Sequence, residues 1–140
     1  MAQNTIPVFA LPNTIGMART SAANTARDGS GTLVTLFTSG ANGSRIDKVV
    51  VTSAQATAAA SSAMVGRLFV TDAAGANPRM LAEVAILTAT PSTTVVGATS
   101  TITFPGGLIL VAGQVVSCTQ SVYAGAQDQM DWVVQQGGGY

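Results

Sequence analysis

The chain has 140 residues, of which 47% are hydrophobic and 9% charged, with six basic and six acidic side chains and no histidine. The missing histidine excludes a Ser-His-Asp or Cys-His catalytic arrangement and the usual histidine-containing zinc site. Zero net charge provides no attraction for nucleic acid or an anionic membrane surface. Because soluble proteins usually carry about a quarter of their residues as charged side chains, we expect an assembly protein and not an enzyme.

Residues 1–28 are predicted to form an extended arm without a core of its own. The segment contains two prolines and shows no lasting period of 2 or 3.6 residues. Its apolar side chains would be costly to leave in water, at roughly 25 cal/mol per Å². We therefore expect the arm to lie on its own domain or on a neighbouring subunit through its apolar residues, which are Ile6, Val8, Phe9, Leu11, Ile15 and Met17.

Four strands are predicted next, over residues 32–38, 45–54, 64–72 and 80–90, because these runs alternate and are rich in β-branched residues. The turn residues Asn42 and Gly43 favour pairing of the second of these strands back on the first. Residues 54–63 are rich in alanine but lack an apolar stripe at helical spacing, so they are predicted to be a strand end followed by a loop.

The second half of the chain continues the same pattern. Residues 91–107 are predicted to form one strand, interrupted at Gly97 and ended by Pro105-Gly106-Gly107. A short strand, a corner at Ala112-Gly113 and a longer strand through Cys118 follow. The last predicted strand alternates Met130, Trp132 and Val134 with Asp131, Val133 and Gln135. Seven or eight short strands separated by Gly and Pro turns indicate an antiparallel β-sandwich over residues 29–140.

The location of the protein is predicted from the same features. A membrane span needs about 20 apolar residues, whereas the best run, 107–116, is about ten long. The N-terminus lacks a basic leader, so synthesis in the cytoplasm is expected. Cys118, the single cysteine, is interpreted as a small buried strand residue.

The carboxylates are the remaining candidates for chemistry. Folding could bring two of them together as in a glycosidase, and Asp128 with Asp131 could hold Ca²⁺ beside backbone carbonyls. Most lie in predicted turns or beside basic residues, so solvated or paired roles are favoured. No catalytic, cofactor or metal site is predicted among Asp28, Asp47, Asp72, Glu83, Asp128 and Asp131.

Two aromatic residues near the C-terminus have a bearing on binding, because aromatic side chains anchor interfaces. Trp132 is either the largest residue of the core or part of a contact surface. Tyr140 follows three glycines and could dock into a neighbouring subunit.

Most of the chain from Asp28 onward resembles small proteins encoded near the capsid genes of tailed bacteriophages, the head decoration (cement) proteins. The resemblance rests on five stretches, which are DGSGTLVTLFTSGANGSRIDKVVV (28–51), GRLFVTD (66–72), MLAEVAIL (80–87), LILVAGQVVS (108–117) and GGGY (137–140). It implies a jelly-roll sandwich, without enzymatic activity or cofactor, that binds the major capsid protein on the outside of the virion, commonly as a homotrimer at local three-fold positions.

We therefore expect a phage capsid decoration protein that binds neither nucleic acid nor membrane. The interface is expected to involve Ile6, Val8, Phe9, Leu11, Ile15, Trp132 and Tyr140. The alternative is a tail, baseplate or head-fibre component that binds a host surface glycan. A carbohydrate-active enzyme or lectin is a third class, to be tested by calcium- or sugar-dependent stabilisation.

Overall fold

The computed structural model describes residues 15–55 and 59–139, with the backbone alone for 136–139. Regular structure within these ranges consists of eight strands and one short 3-10 helix, Ala126–Asp128. The fold is therefore all-β, as predicted. The strands are β1 (Met17–Thr20), β2 (Val34–Thr38), β3 (Ser44–Ser53), β4 (Met64–Val70), β5 (Arg79–Ile86), β6 (Thr99–Leu110), β7 (Val115–Gln120) and β8 (Met130–Gly139).

The strands form two four-stranded sheets, and every neighbouring pair of strands is antiparallel. Sheet A has the order β1-β8-β3-β6, and sheet B has the order β2-β7-β4-β5. The first strand pairs with the last, the second with the seventh, the third with the sixth and the fourth with the fifth. The pairs β3–β8 and β4–β7 complete the sheets. The predicted antiparallel β-sandwich is confirmed.

The core lies between the sheets and is built from alternate strand positions. Trp132 is the largest fully buried side chain. It packs against sheet B at Gly66, where an added Cβ would lie 2.6 Å from Cη2 of the indole. The other buried apolar core residues are Leu36, Phe37, Ile46, Val49, Val51, Met64, Leu68, Ile86, Ile102, Leu110, Val116, Cys118, Met130 and Val134.

Two details of the predicted strands are wrong. β3 does not pair back on β2, since the turn at Asn42-Gly43 carries the chain from sheet B into sheet A. Pro105-Gly106-Gly107 does not end β6, because four residues of β6 are accommodated there between the pairs Ile46↔Leu108 and Lys48↔Thr103. The irregularity is tolerated because β6 is the edge of sheet A, where a proline leaves no hydrogen bond of the sheet unmade.

The N-terminal part of the chain enters the sandwich earlier than its composition suggests. β1 pairs with β8, and Thr20 is almost completely buried. Residues 54–55 and 59–63 contain no helix, as predicted. Ile6, Val8, Phe9, Leu11 and Tyr140 lie outside the described residues, so their predicted contacts stay predictions.

Candidate functional site

The carboxylates in the described residues are all held by hydrogen bonds or ion pairs. Asp131 pairs with Arg19, Asp47 with Arg45, and Glu83 with Arg27 and Arg67. The Asp28 and Asp72 carboxylates accept hydrogen bonds within their own turns, from residue 30 and from residues 74, 76 and 77 respectively. These bonds lower the pKa of both turn carboxyls, and the hydrogen bond from Arg67 lowers that of Glu83. All three are therefore poor proton donors at neutral pH.

Asp128 and Asp131 do not form a common cation site. Asp128 is fully buried and accepts hydrogen bonds from the backbone N–H groups of Ser62 and Ala124, each at 2.7 Å. Asp131 lies on the outer face of sheet A and binds Arg19. In the part of the chain that the structure describes, no group of three or more Cys, Asp or Glu side chains could hold a metal ion. Asp128 instead joins two loops.

A buried polar network lies beside this aspartate. The Trp132 indole Nε1 donates to Thr20 Oγ1 at 3.1 Å, and the Thr20 hydroxyl donates in turn to Gln120 Oε1. The Gln120 amide donates to the carbonyls of Val122 and Asp128, at 2.7 and 2.6 Å. The network is satisfied within the chain, so it fixes the end of the sandwich and leaves no group for a ligand.

The outer face of sheet B is covered by the chain itself. After β1, residues 21–33 cross this sheet, and the Asn24 N–H donates to the Gln120 carbonyl at 2.8 Å. Arg67, only 6% exposed, donates to the Asn24 carbonyl, and Arg27 binds Glu83 at 2.7 Å. The segment and the strand side chains beneath it therefore form a second buried layer, and this sheet offers a partner little apolar surface.

The outer face of sheet A has no such cover from the described residues. Gly16 faces inward, because a Cβ there would lie 2.5 Å from the Leu36 carbonyl oxygen, so its neighbours Ile15 and Met17 face outward. They are 59% and 70% exposed. We call the outward side chains of Ile15, Met17, Val133 and Val50 the apolar strip.

The strip crosses three strands in register. Met17 is paired with Val133, and Val133 with Val50. The next residue across the sheet is Thr101 of the edge strand β6. The strip is therefore a continuous row on a sheet face, and its two aliphatic strand residues, Val50 and Val133, are only half-buried.

Polar side chains border the strip on both sides. The ion pair between Arg19 and Asp131 lies on one side, with N–O distances of 2.7 and 2.9 Å. Lys48 and Gln135 are paired on the other side. Exposed threonines continue the face along β6, at positions 99, 101 and 103. The exposed ion pair is screened by water and stabilises the face little. The surface between these polar side chains is formed by the apolar strip and the threonines.

The predicted interface residues have different locations. Trp132 is completely buried, which confirms its interpretation as the largest core residue. Its indole is enclosed between the sheets, and the interface role of Trp132 stays a prediction. Ile15 is exposed on the strip. Sequence reasoning counted Met17 among the apolar arm residues that need a partner but left it out of the expected interface. It assigned no such role to Val50 or Val133, although the alternation around Trp132 already placed Val133 on the outward side.

A second exposed apolar group lies at the opposite edge of the sandwich, near the ends of β5 and β6. Leu87, Val95 and Val96 are 71%, 53% and 87% exposed. Leu87 and Val96 border a groove between the two edge strands, where the Ser100 hydroxyl donates to the Ala85 carbonyl at 2.7 Å. These side chains lie on loops, so they form no continuous row like the apolar strip.

Comparison of the chain with protein-family models, with curated proteins and with solved structures finds no match. No helix in the described ranges is long and apolar enough to cross a membrane. Function is therefore inferred from the surface of the molecule.

Proposed function

We propose that this protein is a structural virion protein that binds the outside of a phage capsid and stabilises it. The observation that carries the proposal is the apolar strip on sheet A, combined with the covering of sheet B by the protein's own chain. Exposed apolar rows on a sheet are typical of surfaces that another protein covers. The resemblance to decoration proteins supports the same function.

The energetics suit a protein that is present in many copies. Complete burial of a Val, Ile or Met side chain contributes roughly 1.5–3 kcal/mol, and the four side chains of the strip are already partly buried. A contact of this size holds a single copy loosely. Subunits that are joined to one another bind a repeating lattice much more strongly, because each further contact is made within the same particle. We therefore propose a homo-oligomer, a trimer in the simplest case, with the major capsid protein as its partner.

We also propose that the sandwich is of the jelly-roll type. The pairings of β1 with β8, β2 with β7, β3 with β6 and β4 with β5 support this assignment. They are the pairings of one long antiparallel ribbon that is rolled up so that successive ribbon segments alternate between two sheets.

The proposal is tested with particles of a phage from which the gene for this protein has been deleted. Purified protein is mixed with the particles, unbound protein is removed by sedimentation, and bound copies are counted by quantitative mass spectrometry. Hundreds of copies on the head, with heads that withstand higher temperature, are expected. A few copies confined to the tail would overturn the proposal in favour of a tail, baseplate or head-fibre protein.

A matched pair of variants tests the role of the strip. Met17→Asp places a charge on the strip, and Leu87→Asp places one at a side chain of equal exposure at the opposite edge of the sandwich. We expect Met17→Asp to lower the number of bound copies at least ten-fold and Leu87→Asp to leave it unchanged. The reverse result would assign the contact to the loops between β5 and β6. Thermal unfolding of both variants verifies that they are folded.

A further inference from the structure

The chain itself contains a segment whose chemistry matches the apolar strip. Residues 1–14 carry no charged side chain and include Ile6, Val8, Phe9 and Leu11. A charged side chain placed over Val50 and Val133 would lose hydration without gaining an opposite charge. An uncharged apolar segment carries no such penalty, and the hydroxyl groups of the threonines beside the strip can form hydrogen bonds with the backbone of the segment.

The place where this segment joins the sandwich brings it to sheet A. Ile15 lies two residues before β1, the edge strand of that sheet, and its side chain is itself part of the strip. The C-terminal end of residues 1–14 therefore lies next to the apolar strip. It is attached at neither sheet B nor the loops near Leu87.

The length and direction of the chain favour a neighbouring copy over the segment's own sheet. Four strands spaced by about 4.8 Å are roughly 19 Å wide, whereas 14 extended residues reach up to about 48 Å. At Ile15 the strand points along β8 towards its glycine-rich end, whereas the strip runs across the strands. Covering its own strip would require the chain to reverse over Ile15, whereas a segment that continues in the direction of the strand leaves its own sheet and is long enough to reach a second copy.

We propose that residues 1–14 of one copy cover the apolar strip of a second copy, so that the oligomer is held together by exchanged N-terminal segments. This inference rests on the proposed function in one respect, that the strip is covered in the assembled protein. It names a second copy of this chain as the protein that covers the strip, so the capsid is bound by other surfaces of the oligomer. The loss of bound copies expected for Met17→Asp then follows from the loss of the oligomer, because single subunits bind a lattice much more weakly than joined subunits do.

Cross-linking of the full-length protein tests the exchange. One chain carries Val8→Cys, and a second, co-expressed chain with a size tag carries Thr101→Cys beside the strip. A short bis-maleimide joins the two thiols, while the native Cys118 is buried and does not react. The matched control replaces Thr101→Cys by Thr35→Cys, an exposed threonine in β2 of sheet B. We expect the yield of cross-linked mixed dimer to be at least five-fold higher with Thr101→Cys than with Thr35→Cys.

Two further measurements make the inference refutable. A single chain with both Val8→Cys and Thr101→Cys should give mainly cross-linked oligomers; mainly internal cross-links would overturn the inference, as would equal yields with Thr35→Cys. In the full chain, Phe9→Asp and Met17→Asp should each lower the mass measured by light scattering to that of a monomer, whereas Leu87→Asp should not. An unchanged mass for both variants would also overturn it.

The outcomes separate this inference from the proposed function. Exchange is measured with purified protein and no capsid, whereas the function is measured by copies bound to heads. Cross-links between chains without binding to heads would refute the function alone. Binding to heads by a protein whose segments do not exchange would refute this inference alone.

Discussion

The contact between Gly66 and Trp132 leads to a prediction about stability. A Cβ at position 66 would lie 2.6 Å from Cη2 and 3.0 Å from Cζ2 of the indole, and 3.2 Å from the Ile86 side chain. All three residues are in the closed core, so none can move into solvent. Overpacking of this kind costs about 1–3 kcal/mol. Gly66→Ala should therefore lower the free energy of unfolding in urea by that amount.

The control for this substitution is Gly40→Ala. Gly40 is exposed, and the nearest atom to an added Cβ is the Gly43 carbonyl oxygen, at 3.9 Å. Gly40→Ala should change the free energy of unfolding by less than about 0.5 kcal/mol. If Gly66→Ala were equally harmless, the packing of Trp132 on Gly66 would be refuted.

A double substitution identifies the indole as the cause. Phenylalanine lacks the Cη2 and Cζ2 atoms, although Trp132→Phe alone is destabilising because it loses buried area and the hydrogen bond to Thr20. In the double variant Gly66→Ala with Trp132→Phe, the free energy of unfolding should fall by less than the sum of the two single decreases, by a margin of at least about 0.5 kcal/mol. Simple additivity would show that the two residues do not compete for space.

Three further predictions follow from buried and paired groups. Asp128→Ala removes the buried acceptor of the Ser62 and Ala124 N–H groups and should lower the free energy of unfolding in urea by about 1–3 kcal/mol; a loss below about 0.5 kcal/mol would show that this carboxylate does not hold the two loops. The hydrogen bond from Arg67 lowers the pKa of Glu83 from 4.5, so its stabilisation is present above that pH and is lost as the pH falls. The melting temperature of Glu83→Gln should therefore fall less than that of the unaltered protein between about pH 5 and pH 3. Burial raises the pKa of Cys118 to about 12, so Ellman's reagent at pH 8 should modify it only after unfolding; rapid reaction of the folded protein would place this thiol at the surface.

The positions of the strands could be predicted from local pattern to a large extent. The alternation around Trp132 identified β8 and its buried side correctly, and β-branched runs located β3 and β4 within a few residues. Pro105-Gly106-Gly107 was misleading, because a local breaker signal does not indicate whether a strand lies at a sheet edge, where the irregularity has little cost.

The candidate site was predicted only in part. Ile15 was expected at an interface because an apolar residue in a segment without a core needs a partner. Met17 was expected to need a partner for the same reason. The row that it forms with Val50 and Val133 could not be recognised, since these residues are far apart in sequence and are brought together only by the pairings of β1, β8 and β3. The interface role of Trp132 stays a prediction, and aromatic character alone does not show on which side of a strand a residue lies.

By itself the sequence determined that this protein is a sandwich of short strands with few charges and no histidine, because composition and a period of two residues are local properties. Which strands are neighbours was decided only by the tertiary structure, through contacts between residues distant in sequence. The same contacts determine that residues 21–33 cover sheet B and not sheet A. The surface proposed for assembly therefore exists only because the chain folds over one of its two sheets.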